Sequence, residues 1–208
     1  MATTKIFLSL ARWRPCKGGK KTPRACFLTH FDLKDFFGSI NRSRITRCVK
    51  KYLGYTRARD IAKESTVKFP SSGHEKYILP FGFIQSPILA SLCLAESSVG
   101  LFLNKIYKHH KNKITLSVYM DDFIISSNNL ERLTETVNSF KIAITKARLE
   151  INENKSAGPS SLITAFNIDL QNDKLEISHE RFIRFINDFS NSSNTNQQKG
   201  YLRYVKSI

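Results

Sequence analysis

The chain has 208 residues, 41% of them hydrophobic and 15 of them Phe, enough for one large domain or two small ones with a sizeable core. No run approaches the roughly 18 apolar residues of a membrane span, and the opening MATTKIFLSLARWRP carries no cleavage pattern. Lys and Arg number 33 against 17 Asp and Glu, a net charge of +16, which points to a polyanionic partner because cations that neutralise phosphates release counterions.

The charge is uneven along the chain. Residues 1–30 hold Lys5, Arg12, Arg14, Lys17, Lys20, Lys21 and Arg24 and no acidic residue. Such an arm reads either as a solvated tail or as a contact surface, with Trp13 anchoring it. Cys16, Cys26, Cys48 and Cys93 have no CxxC spacing. They read as reduced thiols of a cytoplasmic protein, not as disulfides or a zinc site.

FLTHFDL, Phe27 to Leu33, predicts a strand, and Gly38 a turn. Ile45, Val49 and Leu53 recur at spacing four, predicting a helix from Ile40 closed by Gly54. KYILP predicts a short strand. Ser86-Pro87 predicts a helix start with Ser86 as cap, and one apolar face (Ile88, Leu92, Ala95, Val99, Phe102, Ile106) carries that helix to about His109. KITLSVYMDDFIISS predicts two strands folded around Asp121 and Asp122. Leu130, Leu133, Val137, Phe140, Ile144 and Ala147 predict a further helix. SLITAFNIDLQNDKLEIS predicts a second hairpin turning near Asn172-Asp173. SHERFIRFINDF predicts a helix with Phe182, Phe185, Ile186 and Phe189 inward. Residues 190–199 read as a flexible connection, followed by a last short helix from Tyr201. The order suits an α+β domain of the split βαβ plan: an antiparallel sheet with helices on one face.

Two adjacent aspartates in an apolar hairpin need either solvent or a cation. On the split βαβ plan the first strand neighbours the hairpin, which brings Asp32 beside Asp121 and Asp122. Oxygen ligands without paired His or Cys favour Mg²⁺ or Mn²⁺ over zinc. Two such ions suit in-line phosphoryl transfer.

FDLKDFFGSI, LPFGFIQSPILASL, YMDDFIIS and INENKSAG follow one another in that order. In these four motifs the chain resembles the reverse transcriptases, above all the bacterial retron, group II intron and abortive-infection or phage-defence kinds. The resemblance runs from about Phe27 to the C-terminus. It implies a polymerase palm (27–160), a primer-grip hairpin (161–178) and a thumb remnant (179–208), with residues 1–26 a basic arm or reduced fingers. It implies RNA-directed DNA synthesis with two Mg²⁺ (or Mn²⁺), dNTPs, an RNA template and a DNA primer or duplex, no membrane, and room for a protein partner or a second copy. Asp32, Asp121 and Asp122 match the family's metal ligands, Asp121 the more direct of the pair. Lys155 matches a later-motif lysine near pyrophosphate, and reads equally as an exposed loop lysine. Phe37 falls at the steric gate against a 2′-hydroxyl, or beside Phe36 in the core. Leu33, Phe36, Phe81, Gly82 and Gln85 match nucleotide-side positions. Lys20, Lys21, Arg24, Tyr119, Met120 and Lys206 match nucleic-acid-side positions.

The chain departs from the family in having Phe81 where many members have Gln, and in its short stretch before the first motif. Those departures keep open template-independent or protein-primed synthesis, and a non-catalytic nucleic-acid-binding subunit. A retained cluster of three carboxylates argues against the last, since like charges destabilise an empty site.

Overall fold

The computed structural model describes residues 26–70, 75–109, 113–171 and 174–206. In chain order the elements are β1 (Phe27–Asp32), α1 (Arg42–Leu53), α2 (Tyr55–Glu64), β2 (Val67–Phe69), β3 (Lys76–Ile78), α3 (Ser86–Ala95), α4 (Ser98–His109), β4 (Thr115–Tyr119) and β5 (Asp122–Ser127). Then come α5 (Leu130–Lys146), β6 (Ala157–Ser160), β7 (Leu162–Ala165), β8 (Ile168–Gln171), β9 (Leu175–Ile177), α6 (His179–Asn191) and α7 (Thr195–Lys206). The basic arm, with Trp13, Lys20, Lys21 and Arg24, and the Asn172-Asp173 turn lie outside the described residues.

One sheet organises the molecule, in the order β4-β5-β1-β6. β1 runs antiparallel to both its neighbours. Strand alternation divides its side chains between two faces. Phe31 and Leu33 join Phe123 and Ile125 of β5 in the main core, against Phe140 of α5 and residues of α1, α3 and α4. Phe140 sits among three aromatic rings, those of Phe31, Phe102 and Phe123, at 5.0–5.5 Å between centroids. The other face carries Leu28 and Ile124, covered by Ile163, Ala165 and Leu170 of the β7–β8–β9 sheet. The expected α+β plan with helices on one face is thus what forms.

β6 joins the sheet through a close backbone approach. Its register against β1 shifts between Leu28 and His30. Gly158 has φ 97, and a Cβ there would lie 2.3 Å from the Leu28 carbonyl oxygen. Only glycine fits both conditions.

Several expectations need correction. The helix from Ser86 is two helices, α3 and α4, bent by 68°. The apolar period runs through the break, so periodicity could not mark it. The break is stabilised by Ser97, whose hydroxyl donates to Leu94 O at 2.6 Å and accepts from Val99 N at 3.2 Å. Gly100 allows α4 to press on the end of α3, since a Cβ there would fall 2.0 Å from Ala95 O. The buried face of α3 is Leu89, Ala90, Cys93 and Leu94, while Ile88 is exposed. Gln85 occupies the cap position and Ser86 the first helical one. No single described helix is long and apolar enough to cross a membrane. α3 and α4 together reach that length and composition, but the bent pair buries Leu89, Leu94, Val99 and Leu103 in the core.

α2 was not expected. It buries Ala58 and Ala62, a seam of small residues with no large apolar period. Leu53 closes α1 exposed instead of inward. The second hairpin is a three-stranded meander with an extra turn at Phe166–Asn167. α6 buries only Phe185, while Phe182 and Ile186 stay exposed. α7 begins at Thr195, inside the stretch read as flexible. Cys48 and Cys93 are buried free thiols, and Cys26 is buried as well.

Candidate active site

The register of β1 and β5 decides the geometry. Asp32 lies directly opposite Asp122. Partners opposite one another share a face, and Asp32 follows His30 and Leu28 on the face away from the helices. The β4–β5 loop is two residues, Met120 and Asp121, because Tyr119 pairs with Asp122. Met120 has φ 55, the left-handed conformation that primed hairpin turns demand at their first central residue. For a non-glycine residue this is strained. The turn is docked onto β1 by Leu33 N, which donates to Asp121 O at 3.0 Å.

The end of β1 is held from the other side too. Asn152 N donates to Asp32 O at 2.8 Å, and Asp32 N donates to Ser156 Oγ at 3.3 Å. Three acidic side chains therefore meet where two strand ends and a turn converge. The charge is concentrated: burial, then the charges of Asp122 and Asp32, push the Asp121 carboxyl above the usual carboxylate range. Lys155 is the nearby cation, its Nζ 3.9 Å from Asp32 Oδ2, with most of its side chain in solvent.

Asp122 is turned toward the protein. His30 Nε2 donates to Asp122 Oδ1 at 2.8 Å, and both side chains are largely buried. The other ring nitrogen, Nδ1, is buried without a partner. Among the described residues no three His, Cys, Asp or Glu side chains already surround one point. Mg²⁺ does not require such a cage. It is commonly held by one or two carboxylates together with water and substrate phosphates. Asp32 and Asp121, two hard-oxygen donors in a site of crowded negative charge, fit that ion.

The remaining predicted residues divide by location. Leu33 and Phe36 are buried in the helix-side core, where their side chains serve packing. Phe37 is half-buried and adjoins the core, with its ring edge-on to Phe81 at 6.0 Å. Phe81 itself is 87% exposed, an aromatic ring left largely to solvent. Gly82 has φ 89 in the same exposed turn, and Gln85 is half-buried at the head of α3. Tyr119 is half-exposed, and Met120 packs partly on the core. Lys206 ends α7; its side chain lies outside the described residues.

Two residues beside the site were not singled out from the sequence. His30 sits two positions before Asp32 on the same strand face, and that spacing is the signal that could have found it. Phe166 lies in the β7–β8 turn, where it and Asn167 have φ 57 and 61. Its ring stands edge-on to Tyr119 at 6.0 Å and tilted to His30 at 6.1 Å. No glycine marked that turn, so only the folded chain reveals it.

An antiparallel sheet backed by helices, with acidic residues at two adjacent strand ends, defines a polymerase-palm fold. Residues 8–161 match the family model described as reverse transcriptase (RNA-dependent DNA polymerase), and the chain belongs to that family. Among solved structures it is similar to apo telomerase from Candida tropicalis, with a TM-score of 0.56, 14% identity and coverage of 79% of this chain and 34% of that one. It is similar to telomerase from Candida albicans in complex with a TWJ fragment of telomeric RNA, with a TM-score of 0.55, 11% identity and coverage of 74% and 30%. It is also similar to a foamy viral protease–reverse transcriptase in complex with double-stranded DNA, with a TM-score of 0.50, 15% identity and coverage of 81% and 24%. The chain thus spans between about a quarter and a third of the length of these proteins. At these identities the likeness concerns the fold. No curated protein matches the chain in sequence.

Proposed function

We propose that this chain is the core of an RNA-directed DNA polymerase that adds deoxynucleotides to a primer 3′ end. The observation that carries the reading is the direct facing of Asp32 and Asp122 across β1–β5, with Asp121 in the adjoining turn, in a member of the reverse transcriptase family. Bound Mg²⁺ or Mn²⁺ would activate the attacking hydroxyl and neutralise charge on the triphosphate. Asp32 and Asp121 are the residues to hold it. Asp122, pinned by His30, supports them. The new bond joins the primer 3′-oxygen to the α-phosphorus, and the bond to pyrophosphate breaks. Lys155 is suited to the leaving pyrophosphate. Phe37 is suited to exclude a 2′-hydroxyl, and Phe81, Gly82 and Gln85 to flank the nucleotide. Tyr119 and Met120 are suited to the primer end.

In this reading residues 27–160 are the palm, 161–178 the primer-grip hairpin and 179–208 a thumb remnant. Residues 1–26, with Lys20, Lys21 and Arg24, serve as a basic arm. RNA template and DNA duplex are supported as partners by the telomeric RNA and double-stranded DNA bound to two of the similar structures. The four ordered motifs favour a bacterial retroelement or phage-defence setting in the cytoplasm. A second reading is untemplated or protein-primed synthesis, favoured by the exposed Phe81 ring at a position where many family members have Gln.

The test is primer extension on an RNA template with annealed DNA primer, labelled dNTPs and Mg²⁺, with an Asp121→Asn control and a lane without template. Template-dependent product lost in the variant is the expected result. Product in the template-free lane would move the assignment to the second reading. Product undiminished by Asp121→Asn would remove the metal role.

A further inference from the structure

The helical face holds a cavity of about 410 Å³ between α1, the α3–α4 junction and the end of α5. Cations dominate its wall: Arg44, Arg47, Lys51, Lys146 and Arg148, against the single carboxylate of Glu96. Arg44, Arg47 and Lys51 follow at intervals of three and four along α1, which sets them on one side of the helix. The acidic cluster belongs to the opposite face of the sheet, so these cations do not serve it.

Ordinary structural roles account for part of this group. Arg44 Nη2 donates to Ala147 O at 2.7 Å, closing the C-terminal end of α5. Lys146 lies in the last turn of α5, where a cation suits the helix dipole. Lys51 is paired with Glu96, which Tyr52 also engages at 2.6 Å. Arg47 and Arg148 are left. Among the described residues, neither they nor Arg44 have a carboxylate within 4.0 Å. Both crowd Arg44: burial first, then the charges of Arg47 and Arg148, hold its guanidinium below the usual value. Three guanidiniums around a concavity, repelling one another, form a site that an anion completes. Arginine's planar fork suits phosphate oxygens in particular. The volume lies within the range of ordinary ligand sites.

We propose that this cavity is a second phosphate-binding site, distinct from the acidic cluster, that takes a phosphodiester strand or a free polyphosphate. Arg47 and Arg148 are its principal ligands, and Arg44 forms its inner wall.

The test compares two double variants that each remove two exposed cations. Arg47→Gln/Arg148→Asn alters the cavity; Arg148 has φ 54, which asparagine tolerates. Lys105→Gln/Lys108→Gln removes the same charge from exposed positions on α4 outside the cavity. Binding of tripolyphosphate is followed by calorimetry, and of a labelled single-stranded oligothymidylate by anisotropy across a salt series. The cavity variant should lose at least tenfold in tripolyphosphate affinity. It should also lower the log–log salt slope for the oligonucleotide by about 1.4, at roughly 0.7 per phosphate contact. The α4 variant should change each much less. A selective loss for tripolyphosphate alone identifies a free polyphosphate as the ligand, and for the oligonucleotide alone a nucleic-acid strand. Equal losses in the two variants, or none in the cavity variant, would overturn the site.

Discussion

The His30–Asp122 contact makes the sharpest demand on the structure. The two side chains are 8% and 21% exposed, and the bond is 2.8 Å long. A hydrogen bond to a charged group in such surroundings contributes about 1.5–3 kcal/mol. His30→Phe keeps an aromatic ring, though a larger one, and removes the donor, leaving the Asp122 carboxylate partly buried and unpaired. Asp122→Ala removes the acceptor instead. In a double-mutant cycle of urea unfolding, in chelator, the coupling between the two should therefore be about 1.5–3 kcal/mol. For a chain of this size His30→Phe alone should lower Tm by about 3–12 °C. Primer extension should fall as well, since a carboxylate released from His30 can turn toward Asp32 and Asp121 and add to their repulsion. A coupling under about 0.5 kcal/mol would mean that His30 does not hold Asp122, and the positioning role would be withdrawn.

Asp121→Asn should stabilise the metal-free protein while abolishing synthesis. The folded pKa of Asp121 is raised, so the folded state binds the proton more tightly and wild-type stability falls as pH rises through that value. The two proteins should melt together below the ordinary aspartate pKa near 3.9 and diverge at neutral pH, with Mg²⁺ narrowing the gap; parallel melting curves at every pH would refute the crowding of charge. Gly158→Ala should cost about 2–3 kcal/mol, from a left-handed φ and a Cβ pressed on the Leu28 carbonyl, read by thermal melting. Phe37→Ala should admit ribonucleotides in primer extension with rNTPs, and unchanged sugar discrimination would remove the gate role.

The acidic cluster was legible because its constraints are local. YMDD between two apolar runs forces a tight hairpin, and a first strand ending in Asp32 leaves that hairpin a neighbour of the right polarity. The register followed from a two-residue loop. Other features depended on partners distant in sequence. His30 reads as one polar residue in a strand until Asp122 faces it. β6 starts inside INENKSAG, a loop by composition, whose last two residues, Ala157 and Gly158, open a strand because Gly158 lets it press on Leu28. The α3–α4 break hides in an unbroken apolar period, since the Ser97 hydroxyl and the Gly100 contact set it. Phe36 illustrates the opposite limit: its position in the motif suggests the nucleotide, while its 3% exposure puts it in the core.

The central strand is also the earliest described one, and that order bears on synthesis. His30 and its partner Asp122 are 92 positions apart, and Asp32 and Ser156 are 124 apart. While the chain emerges from the ribosome, β1 has neither lateral neighbour, and its apolar face must wait. Contacts of such long span pay loop-closure entropy before they gain packing. The three carboxylates can therefore converge only after Asp122 has been made, and both sides of β1 can close only after Ser160 has been made. A nascent or truncated chain ending before that point keeps β1 as an unprotected edge, open to pairing with other chains.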